Sequence, residues 1–307
     1  MEAGARTHAH APAAAAREQR RSAVRQVVSD YVDMTKPKVQ SLLLFTTVTT
    51  MYVAGTPSIG LVLLTCLGGA LASGGAGAIN HYLDRDIDAQ MTRTANRPVP
   101  SGRVAPGAAL AYGIVLGICS FVLLALTVNV LAASLALSGL LGYVLVYTLW
   151  LKRRTPQNIV IGGAAGAVPP LVAWAAVTGH LSGAAIYLFA IVFYWTPPHF
   201  WALSLLMKDE YASAGVPMLP VVRGEAETRW QILLYTILLV LVTLLPFAFG
   251  VFDGLYLVAA LLLGSAFTAM ALRLRRDASR RTALKLYLFS LAYLALLFAA
   301  MVADARL

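Results

Sequence analysis

The chain has 307 residues, of which 59% are hydrophobic and only 12% are charged. This composition excludes an ordinary soluble domain built around one buried core, and it predicts a polytopic membrane protein. The formal net charge of +10 is typical of nucleic-acid binding, but the basic residues lie in loops between apolar runs, so we expect no nucleic-acid partner. The two cysteines both lie inside apolar runs, which excludes a disulfide framework.

Residues 1–29 are rich in Ala and Arg. This composition predicts a disordered basic tail on the cytoplasmic side of the membrane. A mitochondrial presequence is the alternative, but Glu2 and Glu18 are unusual in one. We expect residues 30–307 to form a single intramembrane domain.

Apolar runs recur through the rest of the chain, each near the roughly 17 to 25 residues that cross a bilayer as a helix. They predict an all-α bundle of about nine transmembrane helices in the lipid bilayer, with a central cavity. The predicted spans are 39–57, 59–79, 107–127, 130–150, 158–178, 183–203, 231–250, 254–272 and 284–303.

The basic residues are distributed very unevenly along the chain. Every Lys and Arg except Arg306 lies before the first apolar run, in residues 1–38, or in one of four loops, at 80–106, 151–157, 204–230 and 273–285. By the positive-inside rule, the tail, these loops and the opening of the cavity should face the cytoplasm. We therefore expect a multi-pass protein of a bacterial plasma membrane, with the mitochondrial inner membrane as the alternative.

The first of these loops begins with an acidic motif, Asn80 to Asp88. Steps of four residues turn a helix by about 400°, so Asn80, Asp84 and Asp88 should share one face of a continuing helix. Asp86 should face the opposite way. Two carboxylates and an amide oxygen form a hard ligand set that suits Mg²⁺ and a bound diphosphate. The structural alternative is a solvated helix end.

Acidic and basic loops alternate, which suggests two similar halves in which basic loops face acidic ones. Asp209 and Glu210 form the acidic part of the second half, without the four-residue spacing of the first. We expect at most a secondary metal role for these two residues.

Basic side chains near the acidic motif are candidates for binding diphosphate. Arg97 and Arg103 lie in a turn rich in Pro and Gly, and guanidinium groups bind phosphate oxygens bidentately. Lys152 follows the fourth span, and Tyr147 could add a hydroxyl. The alternatives are charges that orient the loops and, for Lys152, a basic cluster at the membrane interface.

Two proline pairs and one histidine stand out within the spans. Pro169-Pro170 and Pro197-Pro198 should kink or break their helices. His199 follows the second pair, and we expect it either to bond to the exposed backbone or to act as a ligand or acid/base group lining a cavity. Glycine-rich stretches before two of the loops should allow close helix packing.

Four strings, taken in order, resemble the UbiA superfamily of intramembrane prenyltransferases and, within it, the haem-modifying branch. The resemblance covers about residues 30 to 300. The strings are Asn80 to Asp88, which matches Asn-x3-Asp-x3-Asp, then Asn96 to Gly102, Thr196 to Leu203 and Tyr211 to Pro220.

The resemblance implies transfer of a farnesyl group from farnesyl diphosphate to a vinyl group of haem B, with addition of water. It implies Mg²⁺ on Asn80, Asp84 and Asp88, with Arg97 and Lys152 neutralising the diphosphate. His199 and His81 are then candidates for haem iron ligation or for positioning the haem substrate. A haem A synthase or a terminal oxidase assembly is the implied downstream partner.

One departure from the superfamily pattern lies in the second acidic loop, where Asp209 is followed four residues later by Ser213 instead of Asp. The haem-modifying branch shares this departure, which leaves a second Mg²⁺ open. Three rival functions remain: a related prenyltransferase with another aromatic or chlorin acceptor, a membrane transporter, and an oxidase assembly factor.

Overall fold

The protein is described here by a computed structural model that covers residues 10–307, with side chains from residue 21. This part of the chain is all-α and contains no strand. The helices are α1 His10–Met34, α2 Pro37–Ala54, α3 Ile59–Leu83, α4 Arg85–Gln90, α5 Pro106–Thr127, α6 Val130–Leu141, α7 Asn158–Gly166, α8 Val168–Thr178, α9 Gly183–Leu206, α10 Lys208–Ser213, α11 Leu219–Val222, α12 Gly224–Ala248, α13 Gly254–Arg276 and α14 Arg280–Asp304.

Seven helical segments of the described chain are long and apolar enough to cross a membrane. They coincide with seven of the nine predicted spans, and they carry strongly exposed apolar side chains such as Leu126 and Leu262. The other two predicted spans fall on α2 and α9, which are helices but do not belong to the seven. The all-α membrane bundle is therefore confirmed, while the count of nine spans stays a prediction.

The N-terminal segment differs from the sequence prediction. Residues 10–29 belong to α1, where we expected a disordered tail, and residues 1–9 lie outside the described part of the chain. The Ala-rich composition explains the difference, because Ala and Arg are among the strongest helix formers.

The two proline pairs act differently. Pro169 and Pro170 lie in the first turn of α8, just after the chain passes from α7 to α8 at Ala167, which fits the predicted break. Pro197 and Pro198 lie inside α9, which continues to Leu206. The second pair therefore does not break its helix, which packs against α12 and α14, while the alternative outcome, a kink, stays a prediction.

Glycines let α3 and α5 pack with their backbones in contact. A Cβ atom on Gly75 would lie 2.7 Å from the carbonyl oxygen of Gly113 and 3.1 Å from the backbone nitrogen of Gly117. This confirms the predicted packing role of the first glycine-rich stretch, and it fixes the end of α3 that carries the acidic motif.

Candidate active site

The acidic motif spans the junction between α3 and α4. Asp84 lies between the two helices, and backbone hydrogen bonds from Asp84 to Asn80 (2.9 Å) and from Asp88 to Asp84 (2.7 Å) preserve the four-residue step. Asn80, Asp84 and Asp88 are 3%, 0% and 2% exposed, whereas the side chain of Asp86 is 57% exposed. The prediction that these three residues share one face, with Asp86 opposite, is confirmed.

Asp84 is the most deeply buried acid of this motif. Its Oδ2 accepts hydrogen bonds from Asn80 Nδ2 (2.6 Å) and from Lys152 Nζ. Its Oδ1 is sealed from solvent and accepts no hydrogen bond from the described residues; Arg153 lies 3.7 Å away. A buried anionic oxygen that accepts no hydrogen bond is costly, so this position favours a cation closer than Arg153.

The other carboxylate of the motif is paired with an arginine of the following turn. Arg97 Nη1 lies 2.7 Å from Asp88 Oδ2, and the Arg97 side chain is 23% exposed. The structure therefore places Arg97 at the acidic motif, where a residue that binds diphosphate has to lie.

The basic loop at 151–157 faces the acidic motif, as predicted. Lys152 pairs with Asp84, and Arg153 forks onto Asp86 with two 2.6 Å contacts. The Arg153 hydrogen bonds hold the pKa of Asp86 near 2, below its usual range. The chain reaches Lys152 through a π-helical continuation of α6, Gly142–Leu151, which the sequence analysis missed.

A further cation of the site, Lys36, was not found from the sequence. Its Nζ donates to Asn80 Oδ1 (2.6 Å) and approaches the hydroxyl of Tyr143 (3.4 Å). Burial, with the positive charges of Arg97 and Lys152, lowers the pKa of Lys36 to about 7. Its backbone is left-handed (φ 56°), which is uncommon for a residue other than Gly. The available signal was a Lys-Pro pair directly before the first apolar run.

Two other residues predicted to bind diphosphate have different positions. Arg103 Nε lies 3.0 and 3.2 Å from the two carboxylate oxygens of Asp30, so Arg103 ties the loop to α1 rather than to the acidic motif. Tyr147 packs against Tyr143, with ring centroids 5.3 Å apart, on the π-helical segment that leads to Lys152.

A cavity of about 420 Å³ lies beside the acidic motif. Its lining is strongly basic, which suits an anionic ligand. The predicted central cavity with a cytoplasmic opening stays a prediction. The lining residues are Asp33, Lys36, Pro37, Lys38, Val39, His81, Arg93, Asn96, Arg97, Pro98 and Arg103.

The two histidines proposed for the haem substrate lie apart. His81 lines the basic cavity and is 2% exposed, and its Nδ1 has no hydrogen-bond partner among the described residues. His199 lies on α9 between the rings of Trp195 and Tyr287, with centroids 4.3 and 4.8 Å away. Its described contacts are with α9 and α14, and none reaches the acidic motif.

The second acidic loop is split between two environments. Glu210 Oε2 accepts a hydrogen bond from the backbone nitrogen of Arg93 (3.3 Å) and so touches the first loop. Asp209 is exposed and lines a separate cavity of about 200 Å³, together with Glu225 and Arg280. Of these two acids, Glu210 is therefore the one near the principal site.

Within residues 21–307, no group of three or more His, Cys, Asp or Glu side chains is placed to share a metal ion. The predicted Mg²⁺ ligands are two carboxylates and one amide. Because an amide is not among these four residue types, the three ligands do not form such a group. Their donor set is all oxygen, and Asp84 Oδ1, which accepts no hydrogen bond from the described residues, is an anionic atom that a divalent cation would satisfy. The residues present fit Mg²⁺.

Comparisons with known proteins place this geometry in a family. Residues 42–297 match the UbiA prenyltransferase family. The chain is 56% identical over 280 residues to a protein named "Protoheme IX farnesyltransferase" from Roseiflexus sp. (strain RS-1), covering 91% of this chain and 52% of the relative. A protein of the same name from Symbiobacterium thermophilum is 53% identical, covering 91% of this chain and 95% of the relative. The chain spans about half the length of the Roseiflexus relative and of two further relatives with the same name.

Solved structures show the same fold. A digeranylgeranylglyceryl phosphate synthase in membranes superposes with a TM-score of 0.74 at 19% identity, covering 91% of this chain and 99% of that one. A UbiA homologue from Archaeoglobus fulgidus, bound to DMAPP and Mg²⁺, gives a TM-score of 0.63 at 16% identity, covering 89% and 99%. The chain belongs to the UbiA prenyltransferase family.

Proposed function

We propose that this protein transfers the farnesyl group of farnesyl diphosphate to a vinyl group of haem B, with addition of water, to form haem O and diphosphate. One observation carries the proposal: Asp84 is fully buried beside Asn80 and Asp88, several cations surround it, and one of its oxygens accepts no hydrogen bond from the described residues. The names of the relatives support the choice of substrates.

The cations around the acidic motif would bind the diphosphate. Lys36, Arg97 and Lys152 each already contact one residue of the motif, so their positive charges converge on one volume. Fixed positive charges stabilise the negative charge that develops on the leaving diphosphate, without reorganisation at the moment of reaction. Mg²⁺, held by Asn80, Asp84 and Asp88, would supply further neutralisation of that charge when bound.

The remaining residues would handle the organic parts of the substrates. The apolar helices would accept the farnesyl chain and keep water from the electron-poor carbon until the vinyl group attacks. His199, and His81 less directly, would position the haem. Tyr147 and Arg103 would border the diphosphate site, and Asp209 and Glu210 remain candidates for a second metal ion.

The location of the site follows from the charge distribution. Every Lys and Arg but Arg306 lies in residues 1–38 or in the four large loops, which supports a cytoplasmic position for these segments in a bacterial plasma membrane. The product would then pass to a haem A synthase or a terminal oxidase assembly.

The test is a mass-spectrometric assay of the purified protein in detergent with haem B, farnesyl diphosphate and Mg²⁺, alongside an EDTA control. We expect a product heavier than haem B by a farnesyl group and water, formed only with Mg²⁺. Diphosphate release with an aromatic or chlorin acceptor, but not with haem B, would assign the protein to another branch of the family.

Asp84→Asn should reduce the rate about 10²- to 10³-fold, because it removes a charge that interacts with the cation at the reacting group. Asp86→Asn is the matched control, since Asp86 belongs to the same motif but its side chain is 57% exposed. We expect Asp86→Asn to retain activity within about threefold. Equal losses in both variants would contradict the assigned role of Asp84.

A further inference from the structure

Two aromatic side chains of α9 form hydrogen bonds with Ser290 on α14. Trp195 Nε1 donates to the backbone carbonyl of Ser290 (2.7 Å), and His199 Nδ1 lies 2.7 Å from Ser290 Oγ. Ser290 is fully buried. These contacts cross from one helix to another between residues far apart in sequence, and none of them takes part in the acidic site described above.

A count of protons fixes the direction of the His199–Ser290 bond. The single hydroxyl proton of Ser290 is donated to the backbone carbonyl of Tyr287 (2.6 Å). A serine hydroxyl has only one proton, so towards His199 its oxygen acts as the acceptor. His199 Nδ1 must therefore carry a hydrogen and donate it.

This direction selects one tautomer of His199. When Nδ1 of a neutral imidazole is protonated, Nε2 holds the lone pair. No hydrogen bond from the described residues reaches Nε2, and His199 as a whole is 6% exposed. Stacking between Trp195 and Tyr287, with interplanar angles of 19° and 26°, limits rotation of the ring.

We propose that Ser290 is a positioning residue that holds His199 as an Nε2 ligand for the iron of the haem substrate. The proposal rests on the proposed function, since it requires haem as a substrate. Histidine ligands of metals almost always donate their second ring N–H to a fixed acceptor, and loss of that acceptor typically weakens metal binding about 10- to 100-fold. Ser290 Oγ, itself oriented by Tyr287, is such an acceptor.

A purely structural role would leave Nε2 unused. Ser290 would then join α9 to α14, and the Trp195 bond to the backbone carbonyl would do so equally well without the hydroxyl. The two roles therefore predict different responses of haem ligation when only the hydroxyl is removed.

The experiment titrates ferric haem B into the purified full-length protein in detergent, without farnesyl diphosphate, and follows the Soret and electron paramagnetic resonance spectra. Four proteins are compared: the unmodified chain, His199→Ala, Ser290→Ala and Tyr293→Phe. Tyr293 is the control, because it is a buried hydroxyl on the same helix that bonds to Thr243 and not to His199.

We expect histidine-ligated haem in the unmodified protein and in Tyr293→Phe, and loss of that spectrum in His199→Ala. Ser290→Ala should bind haem about 10- to 100-fold more weakly. Thermal unfolding without haem should show comparable stability in Ser290→Ala and Tyr293→Phe, since each variant loses one buried hydroxyl.

An unchanged spectrum in His199→Ala, or unchanged haem affinity in Ser290→Ala, would overturn the inference. Measuring haem O formation with the same preparations separates this result from failure of the proposed function. Product formation by an unmodified protein whose haem lacks histidine ligation would overturn the inference alone. Absence of product and of haem binding in the unmodified protein would overturn both.

Discussion

The two halves of the molecule differ in how deeply they bury the acidic side chains of their loops. In the first half, Asp84 and Asp88 are 0% and 2% exposed, and the cations that pair with them are also mostly buried. In the second half, Asp209 is exposed, and Glu225 keeps 44% of its side chain exposed while pairing with Lys208 and Arg229. Charge pairs cost little at the surface, whereas buried charges persist only when they are compensated. The burial of compensated charges therefore supports the proposed diphosphate site in the first half.

The cores of the halves differ in the same sense. The first half packs small side chains, such as Ala133, Ala136 and Ala173, around close helix contacts. The second half packs large rings, among them Trp201 and Phe267. Small residues let α3 approach its neighbours closely enough to bury the acidic motif, while three other rings of the second half, those of Trp195, Phe200 and Tyr287, contact His199.

The largest effect should come from removing the cation that pairs with Asp84. Lys152→Met leaves a fully buried carboxylate with one fewer partner, so we expect destabilisation of about 3 to 5 kcal/mol. Lys208→Met removes a similar cation from a half-exposed pair and should cost at most about 1 kcal/mol. Thermal unfolding of both variants in detergent checks the difference. Equal shifts would remove the contrast between the halves.

Arginines offer a second contrast, measured by activity. Arg97→Gln removes a charge that contacts Asp88 in the proposed diphosphate site, and we expect a rate loss of about 10²-fold. Arg229→Gln breaks the Glu225 pair in the second half and should leave the rate within about threefold. A large loss in Arg229→Gln would extend the active site into the second half.

The features of the fold and the site that depend on a local sequence pattern could be predicted from the sequence. The four-residue spacing of Asn80, Asp84 and Asp88 depends on helical periodicity alone, and the structure retains it. The apolar runs gave the helices for the same reason. The meeting of Lys152 with Asp84 followed from the alternation of loops, which places both residues on one side of the membrane.

What the sequence did not reveal depends on contacts between distant residues. Lys36 reaches Asn80 across 44 residues, and Ser290 reaches His199 across 91. The Lys-Pro pair before the first apolar run is the only local mark of Lys36, and it does not indicate the partner; no local pattern marks Ser290. Arg103 lay in a turn that suited phosphate binding, but its partner proved to be Asp30 on α1, a helix that we had assigned to the tail and the start of the domain.

A smaller loss of stability is expected when the glycine packing that buries the acidic motif is disturbed. Gly75→Ala places a Cβ atom 2.7 Å from the Gly113 carbonyl oxygen, so α3 and α5 must separate. We expect destabilisation of about 1 to 3 kcal/mol. Gly69→Ala is the control on the same helix, because nothing lies within 4 Å of its added Cβ atom. If thermal unfolding shows no difference between the two variants, close approach of these helices is not what limits burial of the motif.

The smallest effect should be that of Asp209→Asn. Asp209 is exposed and lines the smaller cavity with Glu225 and Arg280, away from the atoms that converge on Asp84. Its charge is screened by water, so we expect a change in rate of less than about threefold and a stability change within about 0.5 kcal/mol. The same assay at several Mg²⁺ concentrations gives a sharper measure, since a ligand of a second metal ion would raise the Mg²⁺ requirement when removed. An unchanged Mg²⁺ dependence would confine the metal chemistry to the first half. A dependence shifted by tenfold or more would mean that Asp209 moves to the diphosphate when substrate binds, and the contrast between the halves would then describe only the free protein.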